Sequence, residues 1–133
     1  MQNIFHCLII EGNEKDSLRE TKNICISILG DNFKNKINRN TCSDIIWINQ
    51  KNNKNFIGID EIRNIKSDII VKPVECKSKV YIIKNAHKMT EQAQNALLKT
   101  IEEPPVNVYF ILLCDNSEKL LDTVRSRSQI VKL

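Results

Sequence analysis

Short runs of almost uninterrupted aliphatic and aromatic residues alternate along this chain with longer stretches whose apolar positions recur every three or four residues. A strand that is apolar on both faces must be covered on both, and a parallel sheet sandwiched between helices does this. Five strands are expected: Ile4 to Ile10, Asp44 to Ile48, Lys79 to Ile83, Val108 to Leu113 and Gln129 to Leu133. The fold class is therefore α/β with a five-stranded parallel sheet. One helix is expected over Ser17 to Leu29, with Ser17 and Glu20 as an S-x-x-E capping box and Gly30 as its stop. A second runs from about Ile59 to Ile70, with Ile62, Ile65 and Ile69 on one face. A third starts at Thr90 as N-cap, buries Ala93, Ala96, Leu97 and Ile101, and stops at Pro104 and Pro105. A shorter one spans about Ser117 to Val124, while the Asn-rich stretches Asp31 to Ser43 and Asn49 to Asn55 read as loops.

Composition narrows the function classes. At 133 residues, 41% hydrophobic and 27% charged, the chain has the balance of one globular domain. No apolar run approaches the roughly 18 residues of a membrane span, and the N-terminus lacks a basic stretch and a small-residue cleavage site, so a cytoplasmic protein is expected. The five cysteines, Cys7, Cys25, Cys42, Cys76 and Cys114, form no C-x-x-C pair. They read as reduced, mostly buried thiols rather than a disulfide framework or a metal site. The net charge of +4 is spread along the whole length, which describes a solvated surface better than a nucleic-acid stripe.

In an open parallel sheet ligands bind beyond the carboxyl ends of the strands, so the residues there carry the chemistry. After the first strand the chain reads Glu11-Gly12-Asn13-Glu14-Lys15-Asp16-Ser17-Leu18-Arg19, where a nucleotide-binding domain has G-x-x-x-x-G-K-[ST]. Counted from Gly12, Ser17 replaces the second glycine, Leu18 the lysine and Arg19 the magnesium-binding hydroxyl. The capping box expected at Ser17 and Glu20 would also occupy the helix N-terminus that attracts phosphate. After the third strand, Lys84-Asn85-Ala86-His87 offers no acid for magnesium or for the attacking water. A lysine about 4 Å from that ion would be repelled by on the order of 8 kcal/mol at an effective dielectric near 20. Two independent losses describe a nucleotide site that has degenerated.

The segment KVYIIKNAHKMTEQAQNALLKTIEEPPVNVYFILL, followed by SEKLLDTVRSRS, resembles the AAA+ core of bacterial DNA polymerase III clamp-loader subunits. Its distinctive parts are Asn95 to Pro105 and the ending Thr123-Val124-Arg125-Ser126-Arg127-Ser128, similar to the family's T-[IV]-R-S-R-C. The resemblance implies a three-layer P-loop NTPase-like fold with a degenerate nucleotide site, and loss of both nucleotide motifs points to the delta-prime type rather than the ATP-hydrolysing gamma or tau type. It further implies a ring of subunits in which Arg127, flanked by Ser126 and by Ser128 in place of the family cysteine, reaches the nucleotide of a neighbour as an arginine finger. Expected partners are gamma or tau ATPase subunits and delta, and through them the sliding clamp and primed DNA. No cofactor is expected. Relatives often carry a four-cysteine zinc module after the first helix, but Cys42 is the only cysteine in Asp31 to Ser43, so no metal is expected either.

Several residues have plainer readings. Arg127 could be an exposed cation near a helix end, and Arg125 reads as structural. Asp115 and Asn116 stand where active relatives hold a nucleotide sensor, yet suit a helix cap. His87 reads as a hydrogen-bonded turn residue, His6 as a satisfied strand histidine and Trp47 as core; Asn95 and Lys99 face a neighbour or solvent. A weakly active gamma or tau type ATPase and a free-standing nucleic-acid-binding module are the alternative functions. Because clamp-loader subunits of this type resemble three-domain proteins, residues 1–133 are expected to be the AAA+ core alone, with the helical lid and collar absent from this chain.

Overall fold

A computed structural model describes residues 6–50 and 54–133. Five strands, β1 (Cys7–Glu11), β2 (Ile45–Ile48), β3 (Lys79–Ile83), β4 (Val108–Cys114) and β5 (Gln129–Lys132), form one parallel sheet in the order β2-β3-β4-β1-β5. The helices are α1 (Glu14–Leu29), α2 (Lys34–Asn38), α3 (Ile59–Asp68), α4 (Glu91–Glu102) and α5 (Asp122–Ser126).

The period of two along each strand divides the core between two faces. Cys7, Ile9, Tyr81, Ile83, Phe110 and Leu112 pack with Ile62 and Ile65 of α3, Ala93, Leu97 and Ile101 of α4, and Val124 of α5. On the opposite face Ile10, Val80, Ile82, Ile111 and Leu113 meet Cys25 and Leu29 of α1 and Ile37 of α2. Helices on both faces of a parallel sheet give a three-layer α/β core. Tyr81 and Phe110, paired across β3 and β4, stack with ring centroids 5.5 Å apart.

Several boundaries differ from the sequence reading. The first strand runs Cys7–Glu11 rather than Ile4 to Ile10, and Ile4 and Phe5 lie outside the described residues, as does part of the Asn49 to Asn55 loop. The first helix begins three residues early, because Asn13 rather than Ser17 is its cap: the Asn13 carboxamide oxygen accepts from the Asp16 amide at 2.8 Å. Ser17 is thereby carried inside the helix and buried, and the Ser17/Glu20 capping box does not form. The second helix stops at Asp68, leaving Ile70 exposed. Asp31 to Ser43 is not all loop, since Ile37 enters the core on the short helix α2. The Ser117 to Val124 helix is broken into a 3-10 turn, Ser117–Lys119, and α5, with Leu120 extended between them so that its side chain reaches the core. Trp47 is not core: β2 is an edge strand and leaves the indole 37% exposed.

Other expectations hold. The Thr90 hydroxyl caps α4 by accepting from the Ala93 amide at 3.0 Å, and Gly30 ends α1 at φ 104°, a conformation that disfavours any side chain. All five cysteines are buried free thiols. The asparagines include three left-handed turn residues, Asn40, Asn85 and Asn107, where Asn tolerates positive φ better than most side chains.

Candidate functional site

The turns beyond β1, β3 and β4 enclose a cleft of about 330 Å³ at the carboxyl edge of the sheet, the place where this fold holds a ligand. Its walls are Gly12, Asn13, Glu14 and Ser17 from the first turn, Lys84, Asn85, His87 and Lys88 from the second, and Cys114 and Asp115 from the third. Lys84 and Asp115 are each paired, whereas Lys88 has no carboxylate partner among the described residues. Lys84 Nζ lies 3.5 Å from Glu14 Oε1, and Asp115 stands 3.5 Å from His87 Nδ1 and 3.1 Å from Lys119 Nζ. The Lys119 hydrogen bond holds the Asp115 carboxyl below the usual carboxylate range. Burial lowers the His87 pKa from 6.5, partly opposed by Asp115 and reinforced by Lys119 and Lys88. His87 thus stands beside Asp115 on a 3-10 turn, an ion-pair partner only once it is protonated, and its buried Nδ1 makes no hydrogen bond, contrary to the sequence reading.

The residues in the phosphate-loop positions are turned to other uses. Leu18 packs against the core beneath α1, Arg19 points to solvent 3.5 Å from Asp16, and the Ser17 hydroxyl is buried without a partner. A Cβ added to Gly12 would lie 3.1 Å from the Leu133 Cβ and 3.3 Å from the Ser17 hydroxyl, so this turn is packed shut on the side of β5. No carboxylate follows β3: Lys84 stands where a magnesium-binding acid is needed. The capping argument against phosphate fails, since Asn13 is the cap, but the missing cation and the missing acid remain. Asn116 does cap the turn after β4, accepting from the Glu118 amide at 2.9 Å. His6 is satisfied as expected, its Nδ1 2.8 Å from the Val108 carbonyl oxygen.

Ser126, Arg127 and Ser128 lie at the other end of the sheet. They close α5 just before β5 begins, and the end of α4 beside them likewise leads into β4, so both belong to the amino edge of a parallel sheet. The seven residues of β4 span roughly 20 Å at about 3.3 Å each, which separates this edge from the cleft. The Ser126 hydroxyl donates to the Thr123 carbonyl at 2.9 Å. Ser128 donates to the Val124 carbonyl at 2.8 Å and lies 3.2 Å from the Cys7 sulfur, a short side chain pinned against the core. Arg127, held between them as the C-cap of α5, keeps its side chain 53% exposed and has Nε 3.7 Å from Glu102 Oε1. Such an exposed pair is worth about 0–1 kcal/mol and leaves the guanidinium free to change partners. Arg125, by contrast, is partly buried, its side chain 28% exposed, and is paired with Asp122, as a structural residue would be.

Sequence reasoning missed two polar clusters. Buried Asp44 accepts from the Val74, Glu75 and Cys76 amides at 2.6, 2.9 and 2.6 Å. Lys79, at the start of β3, donates to the Asp68 carboxylate at 2.8 Å, and the Tyr81 hydroxyl joins it at 2.6 Å. A charged residue opening an apolar strand was the available signal for the second.

Comparison with known proteins agrees with this geometry. The family model described as DNA polymerase III, delta subunit, matches residues 2–133. The chain is 43% identical over 77 residues to DNA polymerase III subunit delta' of Haemophilus influenzae, covering 58% of this chain and 24% of that protein. It is 38% identical over 98 residues to DNA polymerase III subunit gamma of Buchnera aphidicola subsp. Schizaphis graminum, covering 74% and 26%. The chain thus spans about a quarter of the length of these relatives. A gamma subunit-related protein of Thermotoga maritima superposes with TM-score 0.71 at 28% identity, over 96% of this chain and 40% of that one. The Bacillus subtilis clamp loader delta protein superposes with TM-score 0.65 at 15% identity, over 98% and 38%, a likeness of fold alone. The chain belongs to the DNA polymerase III delta subunit family and is similar to its delta-prime clamp-loader members.

Proposed function

We propose that this chain is the AAA+ core of a non-hydrolysing, delta-prime-like clamp-loader subunit that acts in the cytoplasm. It assembles with gamma or tau ATPase subunits and with delta, and completes a neighbour's active site with Arg127. Through that assembly it serves to load the sliding clamp on primed DNA, with a helical lid and collar supplying further contacts. The observation that carries this reading is the contrast between the two edges of the sheet. The cleft has Lys84 and Asp115 each paired and no lysine at the phosphate-binding position of its first turn, while Arg127 stands half-exposed at the far edge, too distant to serve the chain's own cleft. A guanidinium supplied in trans can stabilise charge on a transferring phosphoryl group, an effect of roughly 10³ to 10⁵ in rate. Ser126 and Ser128 act as positioning residues that fix the turn on which the arginine stands.

The test is reconstitution of the full complex with Arg127→Ala. A lowered ATPase rate with assembly intact supports the reading, and an unchanged rate removes Arg127 from the mechanism. A second reading, a weak ATPase of the gamma or tau type, has one observation in its favour: the gamma relative matches a larger share of the chain than the delta-prime relative does. Titration with ATP and magnesium separates the two, since micromolar binding is expected only for the ATPase.

A further inference from the structure

The five thiols are not equivalent. Cys42, in the turn before β2, and Cys76, in the connection from α3 to β3, have their sulfurs 3.9 Å apart, within contact distance. They are also the two most accessible cysteines, at 7% and 9%, against 2% for Cys7, 1% for Cys25 and 4% for Cys114. The turns that carry them are clamped together by groups other than sulfur. The Asp44 carboxylate, two residues from Cys42, accepts from the amides of Val74, Glu75 and Cys76, and Lys36 Nζ reaches Glu75 at 2.5 Å. To bond, the sulfurs must close from 3.9 Å to the roughly 2.05 Å of a disulfide.

We propose that Cys42 and Cys76 form a reversible intramolecular disulfide when the protein meets a hydroperoxide. One thiol, as its thiolate, attacks the terminal peroxide oxygen; the O–O bond breaks, and the sulfenic acid and one water (or alcohol) result. The second thiol then attacks the sulfenic sulfur, the S–O bond breaks, the S–S bond forms and a water leaves. Two thiols give up two electrons, and the peroxide takes them. Proximity sets which thiols pair, while burial, which pushes Cys76 up to about 12, makes the reaction slow and faster at alkaline pH. The bond would tie the edge strand β2 to the α3–β3 connection across 34 positions of chain.

The test is to treat the full protein with hydrogen peroxide, block remaining thiols and map the peptides. Expected are a loss of 2 Da, a Cys42–Cys76 linked peptide, reversal by dithiothreitol, and a Tm raised by roughly 5–10 °C while the bond is intact. Cys42→Ser and Cys76→Ser, near-isosteric changes whose folding is checked by circular dichroism, each abolish the linked peptide, whereas Cys25→Ser leaves it. The proposal is overturned if both thiols stay free at peroxide doses that oxidise a reference dithiol, if the linked peptide involves Cys25 or a second molecule, or if sulfinic and sulfonic acids form instead.

Discussion

The two ends of the parallel sheet differ in how their charged side chains are spent. At the carboxyl edge Lys84 is matched with Glu14 and Asp115 with Lys119, with His87 beside Asp115, so of the cleft's lysines Lys88 alone has no carboxylate partner among the described residues. At the amino edge Lys79 is held by Asp68 and Tyr81 joins the same carboxylate, and Arg125 pairs with Asp122, yet Arg127 is left with one loose and exposed partner. Ligand sites of such sheets lie at the carboxyl edge by topology, whereas a surface offered to another chain has no such restriction. A fold can therefore lose the chemistry of its own cleft and keep a role at the opposite edge.

Four measurements break or sharpen this contrast. The largest effect is expected for Arg127→Ala: a fall of roughly 10² to 10³ in the ATPase rate of the reconstituted complex, with Tm of the variant subunit unchanged, since an arginine finger can contribute about 10³ or more. Next is Asp68→Asn. Loss of the carboxylate leaves the Lys79 ammonium, whose side chain is only 6% exposed, with weaker partners, and about 1–3 kcal/mol of stability is expected to go in denaturant titration. The same pair predicts a pH limb. The Lys79 and Tyr81 hydrogen bonds hold Asp68 below the usual carboxylate range, so its contribution is present above the ordinary aspartate pKa of about 4 and is lost as pH falls through the folded value. The asparagine variant lacks that limb.

The third effect is smaller and belongs to the cleft. His87 has its pKa lowered mainly by burial, so the unfolded chain takes up its proton first; stability is full above about pH 6.5 and declines as pH falls toward the folded value. Tm measured from pH 7 to pH 5 should fall less steeply in His87→Gln, and an identical slope would mean that His87 is already solvated. The smallest is Lys84→Ala. Its pair with Glu14 is 3.5 Å long and Glu14 is well exposed, so a change within about 0.5 kcal/mol is expected, with no change in the ATPase rate of the complex. Lys84 and Arg127 are both cations at sheet edges, and a large rate loss from Lys84→Ala would reverse the roles assigned to them.

How much was legible in the sequence varied along the chain. The stretch from Lys79 to Cys114 was read almost residue for residue, because local signals agree there: apolar β-branched strands, Thr90 as cap, Pro104 and Pro105 as stop. The start of α1 was misread because Asn13 and Ser17 are both good caps. What separated them was the end of β1, where the Gly12 amide donates to the Cys114 carbonyl at 3.1 Å and turns the chain at once into the helix. Trp47 was misread because hydrophobicity does not reveal that β2 lies at a sheet edge. The helix expected from Ser117 broke because Leu120 is needed in the core, an override of local periodicity by packing. For the site, the missing lysine, hydroxyl and acid were visible as residues at fixed spacing, but the pairing of Lys84 with Glu14 was not, since those residues are 70 positions apart.

The sequence by itself determined the order and kind of the central elements and the absence of the phosphate-binding and magnesium-binding side chains, because periodicity, caps and motif spacing are properties of neighbours along the chain. Only the tertiary structure decided which strands became edges, that Asn13 rather than Ser17 capped the first helix, that Lys84 and Asp115 are each paired in the cleft, and that Arg127 lies a strand's length from it. Those depend on residues far apart in sequence being brought within a few ångströms, where burial and charge are set by what arrives from elsewhere in the chain.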